Sequence, residues 1–425
     1  MKIALVTAFP PSRQALNEYG FHIAEELRQQ PGIELTILGD TLSEPAAELP
    51  DFSVVRCWGF NQLGNAVSLV RAIQRVKPDV VWYNLGFASF GGKPLPAFFG
   101  LTTPVLTRLF SGYTHVTLHQ LFETVNLTDA GVKSQKLYSA AGRVATHLLL
   151  SANSVSVLLP AYHKTLQEKY GRGSVSIRHH GIFASRPEAP DFELRGNPTH
   201  RVLAFGKWGT YKRLELVVEA FLRVSREFPL AELVIAGGDH PKTAGYVQSI
   251  ADRVKDNPSL RFMGYVPEGS LPDLFRTASF TVLPYTSSAG SSGVAHLACQ
   301  YGLPILAPKI EDFVELAEQE QVSMEFFPPH DVDSLAQHML SMLQTPERLR
   351  EMAQQNFSAA LQMSMPQIIR EYIRSFDMQQ RLKMLKAFSK LRRTRRWTPT
   401  RSWTARHVEK RLHSWQGPNR ENPST

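Results

Sequence analysis

Two lysines, Lys207 and Lys212, stand five residues apart in the segment GKWGTYKR, which directly follows the apolar run of residues 201–205. The apolar run predicts a buried strand, and the residues after Lys212 predict a helix, so both lysines are expected at the turn between them. A helix N-terminus carries free N–H groups and a partial positive charge, and two ammonium groups beside it would suit a diphosphate. An ordinary solvated turn is the alternative for this segment taken alone.

A second segment with possible chemistry is rich in serine and glycine. It reads PYTSSAGSSGV over residues 284–294, between a predicted strand at 280–283 and a predicted helix at 295–301. Small residues let the backbone approach a ligand closely, and serine hydroxyls and N–H groups can bind phosphate oxygens. A flexible loop is the alternative. The segment follows the same kind of strand end as the two lysines, which favours a shared anion site.

Short apolar segments and helical patterns alternate along the first half of the chain. Such alternation predicts a doubly wound α/β domain with a parallel sheet covered on both faces. The predicted strands are residues 2–7, 34–38, 79–83 and 116–119, and the predicted helices lie near residues 21–27 and 66–76. His119 forms the polar end of the last of these strands.

The same alternation begins again near residue 201. The predicted strands are residues 202–205, 232–236, 260–262, 280–283 and 304–306, and the predicted helices are residues 214–228, a late helix with Asp333 at its N-cap, and residues 366–376. Two such units in tandem create a cleft between them, and ligands in these folds bind beyond the carboxyl ends of the strands. Both lysines fall at such an end.

Composition shifts along the chain predict where the domains end. A polar, proline-rich stretch around residue 190 is typical of an interdomain linker. The predicted division is a first domain at residues 1–185, a linker at 186–200, a second domain at 201–360, a helix at 361–378 that packs back toward the first domain, and a basic tail at 379–425.

Bulk properties narrow the class of protein. The chain has 425 residues, 43% of them hydrophobic, and only two cysteines, which favours a globular protein in a reducing compartment. The N-terminal segment MKIALVTAFPP predicts a first strand rather than a signal peptide. No stretch reaches the roughly 18 uninterrupted apolar residues of a membrane span. A cytoplasmic location is therefore expected.

The positive charge is concentrated at the C-terminus. The whole chain carries +9, whereas residues 381–425 carry +11, so the preceding body is close to neutral at −2. Residues 381–396 predict a basic amphipathic helix with Leu385, Phe388 and Leu391 on one face, and three tryptophans follow it. This pattern suits peripheral attachment of residues 381–415 to the anionic inner face of a membrane. A solvated tail is the alternative, and the neutral body disfavours nucleic acid as a partner.

Several segments together resemble a known family. In order and spacing, FGKWGTYKRLELVVEAF, LVIAGGD, LRFMGYVP, SSGV, YGLPILAP and FPPHDVDSLA resemble the donor domain of group 1 (family 4) retaining glycosyltransferases. The resemblance covers residues 1–378 and is strongest over 201–340. It implies an α/β fold of two Rossmann-like doubly wound domains facing a central cleft, called GT-B, here followed by the basic tail. It also implies transfer of a sugar from a nucleoside-diphosphate sugar to an acceptor hydroxyl, with retention of configuration.

The resemblance also implies roles for individual residues in the second domain. Lys207 and Lys212 would bind the donor diphosphate, with lysine at 207 in place of the usual arginine. The backbone of Gly264 and Tyr265 would receive the nucleobase. The full donor-binding set is Lys207, Lys212, Gly264, Tyr265, Ser291, Ser292, Gly293 and Val294.

In the first domain, the resemblance assigns His119 to the donor sugar and makes His119 and Lys212 the catalytic residues. Residues 9–19 resemble the loop that closes toward the donor phosphate, although Ala15 stands where the family usually has glycine. One departure concerns two glutamates eight residues apart in the family. Their positions fall near Ala289 (or Ser288) and at Leu297, and neither residue is acidic.

These residues define the expected activity. The lysines and the N–H groups of residues 291–294 would stabilise the leaving diphosphate without a metal, so neither a metal nor a cofactor is expected. We expect a retaining hexosyltransferase of polysaccharide or glycolipid biosynthesis, with a carbohydrate or lipid-linked acceptor. Because the two carboxylates are missing, the alternative is a catalytically silent GT-B protein that binds a ligand or partner.

Overall fold

Two parallel β-sheets, each with helices on both faces, carry most of the chain in the computed structural model. The structure describes residues 1–394 except residues 13, 43, 45–46, 111, 125–134, 172–174, 185, 197–199, 241–242 and 288–289. We call the part built on the first sheet the first domain and the part built on the second sheet the second domain.

The first sheet has seven parallel strands in the order β3-β2-β1-β4-β5-β6-β7. The strands are β1 (Lys2–Val6), β2 (Glu34–Asp40), β3 (Val54–Trp58), β4 (Val80–Leu85), β5 (Tyr113–Leu118), β6 (Ser154–Val157) and β7 (Val175–Ile177). The helices are α1 (Asn17–Arg28), α2 (Asn65–Val76), α3 (Pro94–Leu101), α4 (Thr103–Phe110), α5 (Gln135–Leu149) and α6 (Pro160–Tyr170). β4 and β5 are buried along their whole length, because helices cover both faces of the sheet.

The second sheet has six parallel strands in the order β10-β9-β8-β11-β12-β13. The strands are β8 (Arg201–Phe205), β9 (Glu232–Ala236), β10 (Leu260–Gly264), β11 (Phe280–Val282), β12 (Ile305–Pro308) and β13 (Met324–Phe327). The helices are α7 (Leu214–Glu227), α8 (Tyr246–Val254), α9 (Leu271–Arg276), α10 (Gly293–Gln300), α11 (Glu311–Gln319), α12 (Val332–Gln344), α13 (Pro346–Gln362) and α14 (Met365–Thr394).

The strand order reverses once in each sheet, between β1 and β4 in the first and between β8 and β11 in the second. Such reversals leave a crevice at the carboxyl ends of the two central strands, because their connections run to opposite faces. The segment GKWGTYKR follows β8 and the serine-glycine segment follows β11, so both open into the crevice of the second sheet. The predicted fold class of two doubly wound α/β domains is confirmed.

The start of α12 differs from the prediction. Asp331, not Asp333, is the N-cap, because its backbone is extended and its carboxylate accepts the N–H of Ser334 at 2.9 Å. Asp333 lies in the first turn and forms an ion pair with Arg223 of α7. The sequence places two aspartates beside this helix start, and only the backbone geometry distinguishes the cap from its neighbour.

The chain runs alongside itself where it passes between the domains. The N–H of Ile182, just beyond the first sheet, donates to the carbonyl of Met363 at 2.9 Å. Gly181 lies against Met365, where α14 begins. The segment that leaves the first sheet thus lies beside the start of α14.

A second compact unit begins at Tyr372. Its described part is the continuation of α14, in which Arg381 and Asp377 form an ion pair one turn apart. Leu382, Leu385 and Phe388 are exposed along this helix. The side chain of Leu391 and the three tryptophans of the tail lie outside the described residues. No helix in the described part of the chain has the length and apolar character of a membrane span.

Candidate functional site

A tight turn after β8 carries the two predicted lysines. Gly209 and Lys212 exchange backbone hydrogen bonds of 3.1 Å across this turn, and Trp208 anchors it. The Trp208 side chain is fully buried, and its indole N–H donates to the carbonyl of Ala236 at the end of β9. The turn is therefore fixed to the sheet by a large apolar anchor.

Lys212 is partly buried and faces two aromatic rings. Its Nζ lies 4.6 Å from the ring centroid of Tyr285 and 5.9 Å from that of Tyr211. Burial alone would lower the pKa of Lys212, but the two tyrosines outweigh burial and raise it above its usual value. The ring faces favour the cation, so Lys212 presents a permanent positive charge beside the end of β8.

Lys207 stands on the same turn but is exposed to solvent. Its position depends on the close approach of Gly206 and Gly237, the residues that follow β8 and β9. Gly237 has φ of 99°, and a Cβ at this position would lie only 1.8 Å from the carbonyl oxygen of Gly206. Only glycine fits at position 237, and its small size lets the ends of β8 and β9 approach each other next to Lys207.

Gly264 and Tyr265, the predicted nucleobase residues, end β10 at the same edge of the sheet. The carbonyl of Gly264 accepts the N–H of Gly237 at 2.6 Å, so this segment lies next to the end of β9. The side chain of Tyr265 is 78% exposed. The exposed backbone here is available to a ligand, whereas the tyrosine ring is not held in place.

The serine-glycine segment leads into α10. Ser292 is the N-cap of this helix, and its hydroxyl accepts the N–H of Ala295 at 3.3 Å. Ser291 and Ser292 are buried, Val294 is half-buried, and Gly293 is exposed. Among the residues that the structure describes, the N–H groups of Gly293 and Val294 have no hydrogen-bond partner. The helix therefore presents open N–H groups with its positive dipole end.

His119 directly follows β5 and is buried. Its Nε2 lies 2.6 Å from Oδ1 of Asn84, while Nδ2 of Asn84 donates to the hydroxyl of Thr7. The amide oxygen can only accept, so Nε2 carries the hydrogen, and Nδ1 is an acceptor with no partner among the described residues. Burial lowers the pKa of His119 to about 3, which keeps the imidazole neutral.

The two domains meet at the serine-glycine segment. A methyl group on Gly290 would lie 3.1 Å from the carbonyl oxygen of His119, so the second-domain loop approaches the end of β5 closely. The N–H of Gly290 donates to the carboxylate of Asp312 at 2.9 Å. Gly290 is therefore held by Asp312 of the second domain and lies close to His119 of the first.

The structure describes only one of the two positions at which glutamate is expected from the resemblance. Leu297 is buried in the apolar core of the second domain, as its side chain requires. Ser288 and Ala289 lie outside the described residues. Within the described part of the chain, no three His, Cys, Asp or Glu side chains are arranged to hold a metal ion.

The loop after β1 is held by two charged residues of neighbouring strands. The carboxylate of Asp40 accepts the N–H of Phe9 at 3.2 Å, and Arg56 donates to the carbonyl of Phe9 at 2.8 Å. Ala15, where the family usually has glycine, is exposed with an ordinary φ. The left-handed conformation occurs one residue later, at Leu16, with φ of 68°.

Four buried residues beside His119 were not predicted. The ring of Tyr19 lies 4.8 Å from that of His119 and 4.3 Å from that of His180, and His180 in turn lies 4.5 Å from His296. His296 pairs with Glu320 at 2.7 Å. Two signals were available in the sequence: the adjacent histidines 179 and 180 near the predicted end of the first domain, and Tyr19 at the end of the loop of residues 9–19.

Comparison with known proteins identifies the second domain. Residues 199–345 match the family described as "Glycosyl transferases group 1". No curated protein matches the chain.

Solved structures share the fold over nearly the whole chain. Sucrose-phosphate synthase from Thermosynechococcus elongatus is similar with a TM-score of 0.69 at 16% identity, over 91% of this chain and 99% of that one. Anabaena HepE in complex with UDP and glucose is similar with a TM-score of 0.67 at 15% identity, over 89% and 99%. The lipopolysaccharide outer core galactosyltransferase WaaB is similar with a TM-score of 0.57 at 10% identity, over 88% and 99%. Residues 199–345 are thus similar to the group 1 glycosyltransferases, and the chain as a whole has the two-domain GT-B fold of these solved structures.

Proposed function

We propose that this protein transfers a hexose from a nucleoside-diphosphate sugar to an acceptor hydroxyl with retention of configuration, in the synthesis of a polysaccharide or glycolipid. The observation that carries the proposal is the arrangement after β8 and β11. A partly buried ammonium on one strand end and the open N-terminus of α10 on the next belong to the same crevice. This combination suits a diphosphate better than any neutral ligand.

The departing diphosphate sets the barrier for such a transfer. Negative charge grows on the leaving group while positive charge grows on the sugar ring. Lys212 and the N–H groups of Gly293 and Val294 would stabilise the leaving group without reorganising, because the sheet already fixes them. Lys207 would add a second, exposed cation. Cations and N–H dipoles would then stabilise the leaving diphosphate, and we propose that no metal is required for this.

His119 would contact the sugar. It is neutral, and its Nδ1 is free to accept a hydrogen bond from a sugar hydroxyl. With no charged base in this position, the leaving phosphate itself would take the proton of the acceptor hydroxyl, on the face that the diphosphate leaves. Attack from that face gives retention.

The C-terminal helix suggests how a lipid-linked acceptor is reached. Leu382, Leu385 and Phe388 are exposed on α14, and residues 381–425 carry +11. An apolar stripe with surrounding cations suits the surface of an anionic membrane. We therefore propose peripheral membrane attachment through residues 381–415.

A second candidate function has one observation in its favour. The buried, apolar Leu297 cannot hydrogen-bond a ribose as a carboxylate would. A catalytically silent protein that binds a nucleotide or a partner would need no such contact. Binding and turnover must therefore be measured separately.

The test is a binding screen followed by a turnover assay. Isothermal titration calorimetry against UDP, GDP, ADP and their hexose conjugates starts with UDP-glucose, because HepE has been solved in complex with UDP-glucose. Release of nucleoside diphosphate is then followed with crude glycan and lipid acceptors. Binding with turnover supports the transferase, binding without turnover supports the silent protein, and no binding of any nucleotide refutes both.

A further inference from the structure

A line of buried histidines runs from the first domain into the second. The ring of His180 lies between those of His119, at 6.0 Å, and His296, at 4.5 Å. His180 is only 5% exposed, and it follows β7 where the chain leaves the first sheet. It is therefore a third histidine at the edge of the proposed donor site, and it has no assigned role there.

Hydrogen bonding fixes which nitrogen of His180 carries the hydrogen. Nδ1 lies 2.9 Å from the carbonyl oxygen of Gly181, and a carbonyl can only accept, so Nδ1 donates. In the neutral ring, Nε2 is then a hydrogen-bond acceptor. Within the described residues, nothing donates to Nε2.

Burial and a neighbouring ion pair both keep His180 neutral. Nδ1 of His296 faces the carbonyl of Ser292 at 3.1 Å and Nε2 faces the Glu320 carboxylate at 2.7 Å, so both nitrogens face acceptors. Burial alone would lower the pKa of His296, but Glu320 outweighs burial and raises it. Burial opposes ionisation of Glu320, yet His296 and His179 lower its pKa to about 2.

His296 is therefore an imidazolium and stands 4.5 Å from His180. Burial, followed by this neighbouring charge, lowers the pKa of His180 well below its usual value. Two cations at this distance in a buried site are disfavoured, so the second ring stays neutral.

The free nitrogen faces the open end of α10. A methyl group placed on Gly293 would lie 3.8 Å from Nε2 of His180. Gly293 itself is exposed. A ligand whose phosphate binds the N–H groups at this helix end would thus have its next atoms beside Nε2.

The hexose is the part of a nucleotide sugar that suits this nitrogen best. Phosphate oxygens accept hydrogen bonds and would face the lone pair of Nε2 unfavourably. Hydroxyls of the ribose and of the hexose can both donate, but in the proposed site the ribose follows the base toward Gly264, which leaves the hexose beside His180 and His119. We propose that His180 is a specificity-determining residue whose Nε2 accepts a hydrogen bond from a hydroxyl of the donor hexose, and that the His296–Glu320 pair positions it as an acceptor. The proposal rests on the proposed function, which it deepens.

Titration calorimetry of two variants tests this assignment. His180→Phe keeps a ring of similar size and removes the acceptor, whereas His180→Gln can place an amide oxygen near the position of Nε2. We expect His180→Phe to weaken binding of UDP-glucose, or of the nucleotide sugar that binds in the screen, by about 10- to 100-fold, with UDP itself changed less than about twofold. His180→Gln is expected to stay within about fivefold of the wild type.

Deoxygenated donors separate hydrogen bonding from a structural role. We expect one of the monodeoxy analogues of the hexose to bind the wild type about tenfold more weakly, and to bind His180→Phe no more weakly than the parent sugar does. Equal losses in both proteins for every analogue, or equal loss of UDP and UDP-sugar binding in His180→Phe, would overturn the assignment while leaving the transferase intact. If the wild type binds no nucleotide or nucleotide sugar, both proposals fall together.

Discussion

The phenol of Tyr162 in the first domain donates to the carboxylate of Asp312 in the second, at 3.3 Å, and the same carboxylate accepts the backbone N–H of Gly290 at 2.9 Å. One carboxylate therefore links a helix of the first domain to the loop that enters the donor crevice. Both bonds are buried, so loss of the carboxylate removes an acceptor that water cannot easily replace.

Replacing the shared carboxylate tests this link. We expect Asp312→Ala to lower the free energy of unfolding by about 3 kcal/mol and to speed hydrogen exchange at Gly290. Tyr162→Phe removes the interdomain bond and keeps the Asp312–Gly290 bond, so its cost should be about 1 kcal/mol with slow exchange at Gly290 preserved. Urea titrations and exchange mass spectrometry measure both. Equal effects of the two variants would mean that the loop is held by other contacts.

Removal of the Lys212 ammonium should impair catalysis. We expect Lys212→Ala to lower kcat/KM for the donor by about 10²- to 10³-fold, as loss of one preorganised group facing the leaving group does. Lys255→Ala is the matched control, because Lys255 is an exposed lysine at the far end of α8. Steady-state assays of nucleotide release compare the two. A Lys212→Ala enzyme with the turnover of the control would remove Lys212 from the mechanism.

Replacement by alanine should destabilise the protein at one of two adjacent glycines and have little effect at the other. Gly237→Ala would place Cβ 1.8 Å from the carbonyl oxygen of Gly206, at φ of 99°, whereas a Cβ on Gly238 meets nothing within 4 Å. We expect Gly237→Ala to cost at least about 2 kcal/mol of unfolding free energy and to weaken nucleotide binding by displacing the turn with Lys207. Gly238→Ala should change stability by less than about 1 kcal/mol. Thermal unfolding with and without UDP provides the comparison.

Acid should destabilise the protein through histidines that are buried in the neutral form. The pKa of His119 in the folded chain is about 3, below the usual 6.5. As pH falls below 6.5 the unfolded chain takes up the proton and the folded chain does not, so this stabilisation is present above pH 6.5 and is lost toward pH 3. Between about pH 7 and pH 5, the free energy of unfolding of the wild type should fall by about 2 kcal/mol more than that of His119→Gln.

His115 provides the control for this pH effect, because burial also lowers its pKa to about 3 and it lies within β5, away from the strand end. His115→Gln should flatten the acid dependence of unfolding by a similar amount and leave donor binding unchanged. His119→Gln should alter both. If the free energy of unfolding fell equally with acid in the wild type and in both variants, these rings would have to be protonated in the folded state.

The exposed apolar face of α14 should be required for membrane attachment. We expect the double variant Leu385→Ser, Phe388→Ser to bind vesicles of anionic lipid at least about tenfold more weakly than the wild type. Leu230→Ser removes an equally exposed leucine from a turn of the second domain and should bind normally. Co-sedimentation measures binding, and analytical ultracentrifugation shows whether the face pairs two copies instead. Unchanged sedimentation of the double variant would refute attachment through α14.

Much of the fold was predictable because buried parallel strands have a simple pattern. The continuous apolar runs at 2–7 and 202–205 predicted β1 and β8 to within a residue or two, and the helix predicted at 214–228 is α7 with one residue less. β7, with three residues, was not predicted, whereas the equally short β11 was predicted because its apolar run extends to Leu283. The N-cap of α12 was misassigned by two residues, because Asp331 and Asp333 offer the same side chain.

The proposed site was predictable only where it follows a strand along the chain. The turn with Lys207 and Lys212 is local, so its place beside the sheet follows from the order of strand, turn and helix. The cluster of Tyr19, His180 and His296 is assembled from three distant parts of the chain. No spacing rule predicts such contacts, because they depend on how the two domains meet.

The contact at the end of the first sheet has a mechanical consequence. Ile182 is hydrogen-bonded to Met363, and Gly181 touches Met365, so the segment that leaves the first sheet is held against the start of α14. His180 immediately precedes this contact, so a displacement at the start of α14 would be transmitted along two residues of backbone to the imidazole.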